Sequence, residues 1–228
     1  MKLVTNVETL FLIFMIYAVL GWIMESTLKT IEKHHFVNRG FLIGPYCPIY
    51  GYGALIMTIA LQSVENVGIL FLLATILCSL LEYATSFIME FLFKARWWDY
   101  SRKFGNINGR ICLVNSLFFG FGGVLIVKVF NPFLLQFLNF YPSTWILLIS
   151  CTLIFIFLLD NLVSFSLMSG IRSFAATLKS DNTEEMAAQV DFILKQLTNN
   201  VKKEFQKKSI LYRRLLNAFP NFQIRKRR

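Results

Sequence analysis

Four carboxylates stand inside apolar runs: Glu25 in "GWIMES", Glu82 in "LLEYATS", Glu90 in "SFIMEFLFK" and Asp160 in "LLDNLVS". A charge at the centre of a bilayer costs about 2.5 to 3.5 kcal/mol even on lenient insertion scales. Such a group must hold a proton, pair with a cation or face water inside the protein, and those conditions suit a solute or proton pathway. The structural alternative is polar glue between helices. Glu25 and Glu90 lie within a turn of Lys29 and Lys94, so each has an i,i+4 ion pair to hand. Glu82 and Asp160 fall too near the middle of their runs to reach water. Ser79, Glu82, Ser86 and Glu90 step three, four and four residues apart and so trace one polar stripe along a helix, while Asp160, Asn161 and Ser164 make a shorter one. Arg39 and Arg110 follow the first and third apolar runs, where they can serve as ionic partners of the carboxylates or as contacts for an anion.

The elements that position these side chains are membrane helices. The 228-residue chain is 56% apolar with 24 phenylalanines, only 16% charged, and has a mean hydropathy of +0.57, outside the range of a soluble domain. A bilayer core is about 30 Å thick and takes roughly 20 residues of helix. Five stretches qualify as spans: about 9–28, a short one at 49–62, then 67–93, 111–130 and 144–171. The first lacks a basic lead and a small-residue cleavage site and reads as a retained span. The fold class is therefore all-α, a polytopic membrane protein. Residues 1–171 form the transmembrane domain and 172–228 a basic tail.

Basic residues set the orientation. Of 23 Lys and Arg, three lie between the first two spans, five between the third and fourth, and thirteen after the fifth, leaving Lys2 and Lys128 opposite. The positive-inside rule places the amino terminus outside and the tail in the cytoplasm. The tail has thirteen basic and five acidic side chains, a net of +8. Its spacing from Met186 to Phe205 predicts an amphipathic cytoplasmic helix over about 183–216, suited to an anionic lipid surface, a partner or a second copy. Nucleic acid is not an expected partner.

An offset of 65 residues brings "IMESTLK" (23–29) onto "IMEFLFK" (88–94), Gly44 onto Gly109 and Cys47 onto Cys112, and at 69 "YGYG" falls on "FGFG". This suggests a parallel two-fold repeat, about 9–62 and 67–130, with the last span outside it. Each unit would enter its second span through a glycine-rich mouth, "NRGFLIGPYCPIYGYG" in the first. Irregular backbone at 39–47 has to be shielded by protein or face water, because unpaired amides are untenable in lipid. In the other link, "KARWWDYSRKFGNINGR", the side chains Trp97, Trp98, Asp99 and Tyr100 are candidate interface contacts, as helix anchors or for a headgroup.

No Walker A loop, GxSxG elbow, HExxH or Cys/His metal spacing occurs, so no metal or cofactor is expected, an enzyme is the less favoured reading, and ATP hydrolysis would come from a partner. Cys47, Cys78, Cys112 and Cys151 read as small apolar residues. The segments "GWIMES", "VNRGFLIGPYCPIYGYG", "LLEYATSFIMEFLFKARWWDYS" and "NINGRICLVNS" resemble the bacterial membrane family of type IV ABC-transporter permeases over residues 10–170. The resemblance implies a transporter subunit of the bacterial cytoplasmic membrane with a separate ATPase subunit, and carries over no catalytic residue. Glu25, Arg39, Glu82, Glu90, Arg110 and Asp160 are the expected pathway for a small or amphiphilic solute. A lipid-modifying enzyme at the cytoplasmic interface and a scaffold or regulatory subunit are the alternatives, and a homo-oligomer is compatible with each.

Overall fold

The computed structural model describes residues 6–93, 95–180 and 223–224. The amphipathic helix expected over 183–216 lies outside the described residues. The chain is all-helical: α1 (Val7–Lys33), α2 (Pro48–Ile56) continuing into a π-helical turn (Met57–Leu61), α3 (Val67–Phe93), α4 (Leu113–Leu125) continuing through a second π turn (Ile126–Phe130) into α5 (Asn131–Asn139), and α6 (Ser143–Ser180). The described exception is a two-residue antiparallel pairing of Ala95–Arg96 with Gln223–Ile224, which brings the end of the tail to the second link.

Among the described residues, four helical stretches are long and apolar enough to cross a membrane: Val7–Lys33, Val67–Phe93, Leu113–Asn139 and Ser143–Leu167. Many of their large side chains, Leu80, Phe118, Phe121 and Leu162 among them, point outward, as suits helices solvated by lipid tails. The core gathers around α1, whose Ile13, Phe14 and Ala18 are buried against α2, α5 and α6. Since lipid is as apolar as leucine, close backbone approach and hydrogen bonds must hold the helices together. Gly51 supplies such an approach on α2, where a methyl group would strike the backbone oxygen of Phe14. Gly120 and Gly123 supply it on α4, against Phe71, Ala74 and Thr75 of α3. Gly53 does not share the role, for its nearest neighbours stand at ordinary contact distance.

The fourth span runs nine residues beyond the expected end at Phe130. Pro132 does not stop it, because it stands directly after the π turn, where the regular helical ladder is already interrupted. The extension carries Asn131 into the bundle, only 1% exposed. Its side chain accepts from the Tyr17 hydroxyl at 2.8 Å and donates to Thr58 Oγ1 at 2.9 Å, tying α5 to α1 and to the turn that follows α2.

The short second span has a geometric cause. His34, in the left-handed conformation at φ 56°, ends α1. The chain then folds back along the helix it has just left. The amide of Val37 donates to Thr30 Oγ1, that of Arg39 to Ser26 Oγ, and that of Cys47 to the carbonyl of Ala18. At 1.5 Å per residue, Ala18 lies about 22 Å up α1 from Lys33, so α2 starts deep within the bundle and its 14 residues with the π turn complete the crossing. Residues 34–47 are thus a re-entrant loop. Its deeper part, the stretch expected to need shielding at 39–47, packs largely against protein: Gly40, Leu42, Tyr46 and Cys47 are buried, whereas Phe36 near its start is exposed.

Candidate functional site

The second link repeats this descent along α3, and the polar stripe on that helix receives it. Glu90 takes Arg110 Nη2 at 3.0 Å and Arg96 Nε at 3.4 Å. One turn deeper, Ser86 Oγ accepts from Arg110 Nη1 at 3.2 Å. At the next step Glu82 Oε1 accepts from the Tyr100 hydroxyl at 3.2 Å. Finally Ser79 Oγ donates to Ser116 Oγ in the first turn of α4 at 2.8 Å. Every member of the stripe therefore meets a group from the link or from the helix the link leads into. Arg110 is further held over the rings of Tyr83 and Phe87, its guanidinium carbon 5.6 and 5.4 Å from their centroids.

The first unit builds a smaller counterpart. Glu25 Oε1 accepts from the Tyr50 hydroxyl at 2.6 Å, and Glu25 Oε2 lies 3.5 Å from Arg39 Nε. Glu25 does not take the expected i,i+4 lysine, since Lys29 pairs with Glu32 instead. The re-entrant loop returns Arg39 to a site that the helix surface alone would have left to Lys29. Further likenesses join the two helical hairpins. Cys47 and Cys112 both precede the returning helix as its cap, Gly40 and Gly105 both have positive φ, and the π turns stand 69 residues apart at Met57–Leu61 and Ile126–Phe130.

The two constellations converge. Glu25 lies within electrostatic reach of both Glu82 and Tyr100, and Tyr50 within reach of Tyr100. Two tyrosine–carboxylate pairs, one from each link, therefore face one region, in which Glu82 is buried and Glu25 part-exposed, with Cys78 beside Glu82. Burial, and after it the Glu82 charge, push the Tyr100 hydroxyl well above its ordinary value, so it remains a hydrogen-bond donor throughout the physiological range. Glu82 is 6% exposed and its Oε2 has no hydrogen-bond partner among the described residues.

Asp160 lies elsewhere. Its Oδ1 accepts from the amide of Ile43 and from Ser164 Oγ, each at 2.8 Å, and its Oδ2 from the amide of Gly44 at 2.6 Å and from the Tyr46 hydroxyl. It is the anchor of the first re-entrant loop. Phe41 of that loop stacks edge-on against Trp97 of the second link at 5.6 Å and against Phe165 of α6 at 5.2 Å, so the two links and the last helix share one aromatic knot.

The side chains expected at the membrane interface turn inward. Trp97 is buried within that knot, Trp98 donates to the carbonyl of Arg110 at 3.0 Å, and Tyr100 reaches Glu82. The reason is the descent of the link along α3, which brings Tyr100 against Glu82 and Trp97 against Phe41 and Phe93. Asp99 stays at the rim. Burial works against its charge, but hydrogen bonds from the hydroxyl and amide of Ser101, then Arg96, outweigh it and hold its carboxyl below the ordinary range.

Tyr17, Thr58 and Asn131 escaped the sequence reading because each is a lone polar residue in an apolar run. The signal available was Asn131 before Pro132, which looks like a helix stop.

A family model described as "Putative ABC-transporter type IV" matches residues 12–165 of the chain. No curated protein and no solved structure matches it. The matched stretch contains both re-entrant links, the converging Glu25 and Glu82, and Asp160.

Proposed function

From the premise that the chain belongs to this ABC-transporter family, we propose that it is the membrane-embedded subunit of a transporter driven by a separate ATPase. It moves a small or amphiphilic solute past the convergence of the two re-entrant links. Glu25, Glu82 and Glu90 line that pathway, and Arg39 and Arg110 set the position of two of them. Asp160 serves it indirectly, by holding the first link at depth. The concentration of basic residues on the links and tail supports a cytoplasmic position for those segments, where an ATPase would dock.

The observation that carries this reading is Glu82. A carboxylate deep in a membrane bundle, bonded through one oxygen and without a partner at the other among the described residues, is a costly feature for a purely structural contact. Polar glue would have both oxygens engaged, as Asp160 does. Irregular backbone at membrane depth, buried in protein, is also how membrane transporters commonly build such sites.

The test compares cells producing the full chain with cells producing the Glu82→Gln variant at equal membrane level. Solutes inside cells and in the medium are profiled by mass spectrometry. A solute whose distribution depends on the chain and loses that dependence in the variant supports the pathway. Identical profiles for the two chains, each differing from cells without the protein, refute it.

A further inference from the structure

Glu25 and Glu82 are built alike up to one difference. In each, Oε1 accepts from a tyrosine hydroxyl, Tyr50 in one unit and Tyr100 in the other. In Glu25, Oε2 faces Arg39. In Glu82, Oε2 faces no donor among the described residues, although the side chain is buried. The arginines nearby are committed elsewhere, Arg39 to Glu25, and Arg96 and Arg110 to Glu90. The titratable groups facing Glu82 add no positive charge. They are Tyr100 from the second link, Glu25 from α1 and Cys78 from its own helix.

We propose that Glu82 Oε2 is the seat of a cationic N–H donor carried by the solute, a protonated amine or a guanidinium group, which takes at Glu82 the place that Arg39 takes at Glu25. The inference rests on the pathway assigned to Glu82 above and narrows its solute to the organic cations. A carboxylate with one oxygen held by tyrosine offers the other in a fixed direction, and a charged N–H donor there makes the short, charge-assisted bond that the site lacks. Glu25 does not compete for the guest, because Arg39 already pairs with it. Tyr100 cannot serve as the counter-charge, because a phenol is never a cation and offers Glu82 only a neutral O–H donor.

The experiment uses the purified full chain in detergent and titrates methylammonium chloride and guanidinium chloride at millimolar concentration, reading thermal unfolding against potassium chloride at equal ionic strength. Saturable stabilisation by either organic cation beyond the potassium curve is expected. Glu82→Gln raises the half-saturating concentration about tenfold or more, and Tyr100→Phe, which frees Oε1 and loosens the carboxylate, raises it by roughly threefold. Glu65→Gln, in the turn before α3, leaves it unchanged. If Glu82→Gln does not reach the membrane, Tyr100→Phe against Glu65→Gln decides the matter. Equal protection by potassium, no saturable effect, or half-saturation indifferent to the Glu82 and Tyr100 substitutions overturns the proposal. A chain that binds the cation through Glu82 but changes no solute distribution keeps this site and loses the transport reading. Transport that depends on Glu82 without cation protection does the reverse.

Discussion

Removing the Asp160 carboxylate should release the first re-entrant loop without unfolding the bundle. Asp160 accepts the amides of Ile43 and Gly44 at 2.8 and 2.6 Å, together with the Tyr46 and Ser164 hydroxyls. A hydrogen bond to a charged group is worth about 1.5 to 3 kcal/mol, and measured values within membrane bundles run lower. Counting only the two amides at the low end gives about 3 kcal/mol for Asp160→Ala, a roughly 100-fold rise in the open population of the loop. Asp160→Asn keeps one acceptor oxygen and should cost about half as much in free energy, or roughly 10-fold. Cys47 reports the opening, since it is 8% exposed at the point where the loop joins α2. With Cys78, Cys112 and Cys151 replaced by alanine, the rate at which a maleimide labels Cys47 should rise by these factors. A matching variant that keeps only Cys112, at the end of the second link, serves as control and should change little. If Asp160→Ala leaves the Cys47 rate within twofold of the parent, the loop is held by other contacts and the reasoning fails.

Asn131→Ala should lower stability by about 1 to 3 kcal/mol, because it strands the Tyr17 hydroxyl in a dry interior. The midpoint of denaturation in mixed detergent checks it, and an unshifted midpoint would show that the polar network contributes nothing. Asp99 gives a pH dependence of definite sign. Its folded value lies below its unfolded one, so its contribution is complete above the ordinary aspartate value of about 3.9 and disappears as the pH falls through the folded value. Asp99→Asn should therefore destabilise the second link at pH 7 and lose that effect progressively in acid, when limited proteolysis of the link is followed across the range. A difference between the two chains that persists undiminished in strong acid would contradict the assignment.

The parts of this architecture legible in the sequence are those written locally. The bounds of α3 could be read to the residue because its apolar residues run from the polar turn at Glu65–Asn66 to the basic link, and the stripe from Ser79 to Glu90 followed from helical spacing alone. The re-entrant character of residues 39–47 was announced by prolines and glycines inside an apolar stretch. What was not legible depends on contacts across the chain. Asp160 meets the loop across 114 to 117 positions, so its depth looked like a free intramembrane charge rather than an anchor already engaged. Lys29 seemed the natural partner of Glu25 by helix geometry, and lost to an arginine that only the returning loop could deliver. Trp97 had the composition of an interface anchor, and its burial required knowing that the link descends.

The anchoring of the first loop by the last helix also fixes an order of assembly. Gly44 leaves the ribosome long before Asp160, and at 5 to 20 residues per second the gap of 116 positions amounts to roughly 6 to 23 s. Throughout that interval the amides of Ile43 and Gly44 lack the acceptor that makes their depth tolerable, so the hairpin of α1 and α2 waits with its loop unseated, near water or within the insertion machinery. Its final seating is a late event in synthesis. A nascent chain arrested before residue 160 should hold Cys47 open to reagent, and one arrested after α6 has emerged should close it.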